Sequence, residues 1–394
     1  MAPREIRPGI YSVGAVDFDR RLFDSLIPLP DGTSYNAYLV QGSEKTALID
    51  AVDPTMRDVL LSNLDRLGVE RIDYVVANHA EQDHSGALVQ VADVYPEAQF
   101  VASPKCKDML VDHLALPAER IETAEDNGTL SLGDRTLEFI HAPWVHWPET
   151  ILTYLREDRV LFTCDLFGSH LATTDLYATD EARVYEAAKR YYAEIMMPFH
   201  RIIERHLERL EGYDIELIAP SHGPMYDRPE FILEAYRDWV FGDPKNLVVL
   251  PYISMHGSTL AMVDYLVDAL AVRGVRVERF DLSATDLGKL ATTLVDAATL
   301  VIGTPTFLVG PHPHVAQAAM LANALRPKLK FAAVIGSYGW AGKAVEQVGE
   351  MVSSLRLEML DPVLCKGFPR EGDFEALEAL ADKIASKHRE SGLQ

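Results

Sequence analysis

The sequence predicts an α/β protein of two domains. The first is built from two sheets covered by helices, the second from one doubly wound parallel sheet. Three observations carry this reading. At 394 residues the chain is too long for one ordinary domain, and its 48% hydrophobic content suffices for two cores. Short apolar runs alternate with runs of helical spacing, and a stretch of short strands lies between Gly128 and Leu155. The pattern restarts after Phe241-Gly242-Asp243-Pro244-Lys245-Asn246, a Gly/Pro segment that sets the domain boundary, 1–245 against 246–394.

In chain order, Ile10 to Val13 reads as a strand, and Asp31-Gly32 as a turn. Tyr35 to Val40 and Thr46 to Asp50 read as a hairpin. Thr55 to Leu67 has helical spacing, with Val59, Leu60, Leu64 and Leu67 on one side. Tyr74 to Ala77 is a short buried strand, Gln99 to Ala102 another, and Pro104 to Leu114 a helix. Glu181 to Leu210 is helical, with a kink expected at Pro198. Beyond the boundary, strands are expected at Leu247 to Ile253, Arg276 to Phe280, Thr299 to Gly303 and Lys330 to Ile335, with helices between them.

Chemistry concentrates at His79-Ala80-Glu81-Gln82-Asp83-His84, where four of six side chains can bind a metal. Such a cluster can be only a solvated turn. Here it follows a strand, and three further candidates also end apolar runs: His146, Asp165 and His222. Ligand types repeated at strand ends point to a metal site, with room for two ions. His113, His141, His200 and His206 do not sit at matching strand ends and read as packing residues. His170 is a candidate hydrogen-bond donor near Asp165, and Tyr191 and Tyr192 read as core.

The order H-x-E-x-D-H, then His, Asp and His, resembles that of the metallo-β-lactamase fold. Hydrolases of that fold carry H-x-H-x-D-H and bind zinc. Glu81 replaces the second His here, and a carboxylate in place of imidazole suits iron better than zinc. This variant resembles the flavodiiron proteins, also called A-type flavoproteins, and the similarity covers nearly the whole chain. It implies a metallo-β-lactamase-like αββα sandwich followed by a flavodoxin-like domain. It also implies two non-haem irons: His79, Glu81 and His146 on one, Asp83, His84 and His222 on the other, and Asp165 bridging. In relatives the position of His84 is sometimes not a ligand, and where some carry a pocket His in this N-terminal region, Leu22-Phe23-Asp24-Ser25 offers none here.

Three loops in the second domain form a candidate ligand site. Ser254-Met255-His256-Gly257-Ser258-Thr259 joins a strand to a helix, a setting in which backbone N–H groups and hydroxyls cradle a phosphate. Thr304, Pro305, Thr306, Phe307 and Gly310 follow the third strand, and Ser337, Tyr338, Gly339, Trp340 and Gly342 follow the fourth. The G-S-Y-G-W segment closely resembles the FMN loop of flavodiiron proteins, so these loops are assigned to FMN. His256 stands where relatives often carry Trp or Tyr. Trp340 either stacks on the flavin or fills the domain core. No G-x-G-x-x-G follows the first strand, which argues against a dinucleotide.

The resemblance implies a reductase in which FMN feeds a diiron centre that converts dioxygen to water or nitric oxide to nitrous oxide. It also implies a head-to-tail homodimer, or a dimer of dimers. No C-terminal C-x-x-C rubredoxin module is seen, so a separate donor is expected, either a rubredoxin-like protein or a reduced deazaflavin coenzyme. Two other readings compete: a zinc hydrolase fused to an electron-transfer module, and a redox sensor without turnover. The net charge of −22 argues against nucleic acid or an anionic membrane surface. Three scattered cysteines, no apolar leader and no transmembrane run fit the cytoplasm.

Overall fold

A computed structural model describes residues 1–340 and 342–393. Ala341, in the third predicted flavin loop, lies outside the described residues. The chain divides into two compact units, Met1–Tyr192 with Phe199–Val240, and Ala193–Pro198 with Phe241–Gln394.

The first unit contains two large sheets. The seven-stranded sheet runs in the order Arg4–Arg7, Ile10–Ser12, Tyr38–Gln41, Thr46–Ile49, Tyr74–Ala77, Gln99–Ala102, Ile121–Thr123. The five-stranded sheet follows chain order through Thr129–Ser131, Thr136–His141, Ile151–Leu155, Val160–Cys164 and Leu217–Pro220. Successive side chains of a strand point to opposite faces, and the core follows that period. Val40, Ala47, Ile49, Val76 and Val101 face Leu137, Phe139, Leu155 and Phe162 between the sheets. Leu39, Leu48, Val75 and Phe100 face outward, onto Leu60, Leu64, Leu88 and Leu110 of the covering helices. On the other side, helix Pro229–Phe241 buries Tyr236 and Trp239, and the Tyr236 ring meets Phe167 edge-on at 4.8 Å. This is the αββα sandwich.

Three local expectations need correction. A strand over Arg4–Arg7, unmarked by strong alternation, precedes the first expected one. Tyr35 leaves the predicted hairpin: Thr33–Tyr35 pairs instead with Ala15–Asp17, and the hairpin strand starts at Tyr38. The long helix is two helices, Glu181–Tyr191 and His200–Leu210, separated by a π turn (Tyr192–Met196) and a 3-10 turn (Met197–Phe199). Pro198 lacks the N–H that a continuous helix needs there.

The second unit is a parallel sheet in the order Arg276–Asp281, Lys245–Tyr252, Ala297–Phe307, Phe331–Tyr338, with Glu358–Met359 and Val363–Lys366 both on the last of these. In sequence terms the order is 2-1-3-4-5, that of flavodoxin-like sheets. Val248, Leu250, Val301 and Ala333 pack under helices Ser258–Val272 and Glu371–Glu390. Leu247, Val249, Leu300 and Val334 pack under the helices of the other face. The order reverses between Lys245–Tyr252 and Ala297–Phe307, which opens a crevice at their carboxyl ends.

His388 ties helix Glu371–Glu390 to this sheet. Its Nδ1 donates to Asn246 Oδ1 at 2.8 Å, and its Nε2 accepts from Thr299 Oγ1 at 2.6 Å. Burial, with Lys330 nearby, pulls its pKa down to about 4. The unfolded chain takes up that proton near pH 6.5, so the stability from this histidine is full above about 6.5 and gone by about pH 4. The loss at pH 5 is about 2 kcal/mol. Urea unfolding of the wild type and of His388→Gln at pH 7.5 and 5 checks this. The wild type is expected to lose about 2 kcal/mol more than the variant on acidification, and equal losses contradict it.

Candidate functional site

The predicted metal ligands come together in the first unit, and all but His146 follow the carboxyl end of a strand; Ala142 to Val145 is no strand, and His146 lies in the loop between Thr136–His141 and Ile151–Leu155. Tyr74–Ala77 runs into Asn78 and His79, and a single helical turn, Gln82–Ser85, carries Asp83 and His84. The root of this loop is held from below. Asp50 accepts from Asn78 N at 2.8 Å and from Asn78 Nδ2 at 2.9 Å, and Ala51 N donates to His84 O at 2.8 Å. Asp165 follows Val160–Cys164, and His222 follows Leu217–Pro220. Gly223 comes next with φ of +79°, where a Cβ would lie 2.0 Å from Ser169 Oγ, so only glycine fits behind His222.

The ligand atoms fall into two groups joined by Asp165. In the first, His79 Nε2 and His146 Nε2 lie 3.2 and 3.0 Å from Glu81 Oε2, and 3.3 and 3.4 Å from Asp165 Oδ2. In the second, His84 Nε2 is 3.3 Å from Asp83 Oδ1, and His222 Nε2 is 3.2 Å from Asp83 Oδ2. These two imidazoles lie 3.0 and 3.4 Å from Asp165 Oδ1. One carboxylate thus gives one oxygen to each group.

The electrostatics are those of a cation site. Burial opposes charge on the imidazoles, but the nearby carboxylates of Asp165 and Glu81 raise His146 to about 9, and those of Asp165 and Asp83 raise His222 to about 10. Glu81 falls to about 2 despite burial, because His146 and His79 donate to it. Protons on the imidazoles therefore balance the carboxylates, a task that metal ions do better. Both oxygens of Asp83, both ring nitrogens of His84 and Oδ2 of Asp165 are buried with no hydrogen-bond partner among the described residues. Atoms orphaned in this way cost roughly 1–3 kcal/mol each. Bound cations would satisfy the carboxylate oxygens and Nε2 of His84, which face one another, so the residues fit two metal ions.

Several supporting groups went unnoticed in the sequence. Glu149 Oε1 accepts from His79 Nδ1 at 2.6 Å and from Ala80 N at 3.0 Å. Ser34 O accepts from His222 Nδ1 at 2.7 Å. Both bonds fix the tautomer that leaves Nε2 free for a metal. Tyr191, read as core, is buried, yet its hydroxyl donates to Asp165 Oδ1 at 2.7 Å. Burial, then the Asp165 charge, hold that hydroxyl protonated. His170 does not donate to a ligand. Its Nδ1 meets Thr33 Oγ1 at 2.9 Å, its ring lies 4.8 Å from that of His222, and burial keeps it neutral. His141 does end a strand, but its Nε2 turns to Ala124 O, 2.8 Å away. His206 meets Pro143 O, and His113 lies edge-on to Trp147. Burial, followed by repulsion from Glu81 and Asp83, raises the carboxyl pKa of Asp24.

In the second unit the three predicted loops leave neighbouring strands and touch each other. Thr259 Oγ1 is 3.4 Å from Ser337 Oγ, and Lys343 N donates to Val309 O at 2.6 Å. Gly257 caps helix Ser258–Val272 with φ of +86° and open space where a side chain would be. That geometry leaves room for a phosphate at the helix N-terminus. Thr259, Thr304 and Pro305 are buried, whereas Ser254, Ser258, Thr306, Gly310, Ser337 and Tyr338 line the opening half-buried. Met255, His256, Phe307, Gly339 and Gly342 are exposed. Trp340 is 89% exposed, which rules out the core reading of that residue.

Residues 33–223 match the ODP family beta lactamase. The nitric oxide reductase of Moorella thermoacetica is 34% identical over 395 residues, covering 98% of each chain. The structure of rubredoxin oxygen:oxidoreductase from Desulfovibrio gigas superposes with a TM-score of 0.95 at 29% identity, covering 98% of each chain. The flavodiiron protein of Giardia intestinalis gives 0.91 at 28% identity, covering 100% of this chain and 99% of that one. A sandwich with two adjoining ligand groups, a flavodoxin-like sheet and similarity over almost the entire length lead to one conclusion: the chain belongs to the flavodiiron proteins.

Proposed function

We propose that this protein is an oxidoreductase in which FMN passes electrons to two non-haem irons, and the iron pair reduces dioxygen to water or nitric oxide to nitrous oxide. The observation that carries this reading is the division of the Asp165 oxygens between two buried His–carboxylate groups. His79, Glu81 and His146 would hold one iron, and Asp83, His84 and His222 the other. The three loops at Ser254–Thr259, Thr304–Gly310 and Ser337–Gly342 would hold FMN, the first at its phosphate. Residues 1–245 then form the diiron domain and 246–394 the FMN domain.

Individual residues have separable tasks. Glu149 and Ser34 orient the imidazoles of His79 and His222. Tyr191 holds a proton at Asp165. Both gases fit the reading, as do both donors, a rubredoxin-like protein and a reduced deazaflavin coenzyme. Among the described residues no helix is long and apolar enough to cross a membrane. The hydrolase alternative is disfavoured by Glu81, since an anionic oxygen there suits iron over zinc. Gas consumption by protein whose flavin is reduced chemically tests the proposal. Turnover of dioxygen, nitric oxide or both is expected, and hydrolytic activity with neither gas consumed contradicts it.

Glu81→His is expected to raise the zinc-to-iron ratio of protein grown in metal-replete medium and to abolish gas reduction, with flavin content unchanged. Metal analysis and flavin extraction read both outcomes. A variant with full iron and full activity removes Glu81 from the ligand set.

Electrons must cross from flavin to iron, which needs the two sites close together. The working unit we propose is a head-to-tail homodimer, alone or paired, in which the flavin of one chain serves the irons of the other. Exposed apolar side chains crown the flavin loops: Met255, Phe307, Leu308, Val309 and Trp340. Such a patch favours a protein partner over water. Trp340→Ala is expected to lose flavin and keep iron, and His79→Ala the reverse, each inactive alone. Co-expressed as heterodimers they should recover activity. Verified heterodimers without recovery contradict transfer between chains.

A further inference from the structure

The two ligand groups are matched in kind. Each has two imidazoles, one terminal carboxylate and one oxygen of Asp165. A difference in donor strength between the imidazoles of the two groups must therefore come from the next layer of side chains. That layer is not symmetric.

Behind the first group, His79 Nδ1 donates to a carboxylate, Glu149, whose side chain is fully buried. Ala80 N donates to the same oxygen, and Ser103 Oγ anchors the Glu149 backbone carbonyl at 2.6 Å. The other carboxylate oxygen is buried with no hydrogen-bond partner among the described residues, so nothing else draws off its charge. Behind the second group, His222 Nδ1 donates to a neutral carbonyl, Ser34 O. The ring Nδ1 of His84 is buried with no hydrogen-bond partner among the described residues. The Asp165 oxygen on this side, Oδ1, also accepts from the Tyr191 hydroxyl, which withdraws electron density from it. The oxygen facing the first group, Oδ2, has no such donor.

Both differences act in one direction. An anion hydrogen-bonded to the far nitrogen makes an imidazole a stronger donor to its metal, and a stronger donor favours the higher oxidation state. A hydrogen bond onto a ligand oxygen does the opposite. We infer that Glu149 makes the two iron positions electronically unequal, so that the ion held by His79, Glu81 and His146 is the harder to reduce. With iron bound, the Asp83–His84–His222 position would accept the first electron from reduced flavin and the Glu149-backed position the second, the flavin being oxidised by two electrons in all. Glu149 is a positioning residue in this account. It never touches substrate, and it sets the donor strength of His79.

The inference rests on the diiron reading, and two irons per chain by metal analysis checks that reading first. The test is a mediated redox titration of the iron-loaded holoenzyme with dithionite, followed by electron paramagnetic resonance of the half-reduced pair. Glu149→Gln keeps an acceptor for His79 and removes the charge. The lower of the two midpoint potentials should rise while the upper stays put. The comproportionation constant should then fall about tenfold, equivalent to about 59 mV for one electron, and the yield of the half-reduced form should fall by a smaller factor. Glu149→Asp retains the charge and should keep the gap. Tyr191→Phe should instead lower the upper potential alone. Unchanged potentials in Glu149→Gln protein that carries two irons overturn the inference, as does an equal shift of both. Equal effects of Gln and Asp would mean that fit, and not charge, is what Glu149 supplies, which also overturns it. If Glu149→Gln protein fails to take up two irons, the Tyr191→Phe titration decides, and an unmoved upper potential counts against the inference.

Discussion

The carboxylate of Asp165 reaches two buried groups at once, with one oxygen toward His79 and His146 and the other toward His84 and His222. A charge almost wholly removed from water is tolerated only when it is paired and hydrogen-bonded. Four imidazoles and the Tyr191 hydroxyl meet that condition here. Their protons hold Asp165 well below the usual carboxylate range in spite of its burial. The rest of the site follows from this arrangement. Glu81 and Asp83 each face a pair of imidazoles, and each pair shares its space with one Asp165 oxygen. Two cations in place of the imidazole protons would satisfy the orphaned carboxylate oxygens of the cluster and Nε2 of His84.

The sandwich makes the arrangement possible by bringing strand ends together. Tyr74–Ala77 belongs to the seven-stranded sheet, and Val160–Cys164 and Leu217–Pro220 belong to the five-stranded one. A core of alternating side chains holds the two sheets face to face, so ligands far apart in sequence emerge at one rim. The second unit applies the same geometric rule in a single parallel sheet. Its loops leave neighbouring strand ends where the strand order reverses, and there a helix N-terminus offers backbone N–H groups of the kind that bind an anion without charged side chains.

The candidate ligand cluster was legible because its members follow apolar runs, and three of the four runs are strands; the fourth, Ala142 to Val145 before His146, forms a loop. The three strand-end loops proposed for FMN were placed for the same reason, with small polar residues after Tyr252, Gly303 and Gly336. What sequence could not show is the layer behind the ligands. Glu149 meets His79 across seventy positions, and Ser34 meets His222 across one hundred and eighty-eight. One signal was present: Glu149 lies three residues beyond His146, in Trp147-Pro148-Glu149, just before a fully buried strand where an unpaired carboxylate would be costly. Tyr191 sat on an apolar helix face, and periodicity cannot separate a tyrosine that packs from one that also donates. The break at Tyr192–Phe199 was anticipated only as a kink at Pro198, since a π turn leaves no mark in hydrophobic spacing.

The central claim is that Asp165 joins two iron positions within one sandwich. Anomalous diffraction from crystals of the purified protein, with data collected on both sides of the iron and zinc absorption edges, tests it most directly. The account predicts two iron-edge peaks per chain, one inside each His–carboxylate group, with Asp165 between them. A single peak, or two peaks present only at the zinc edge, would contradict it.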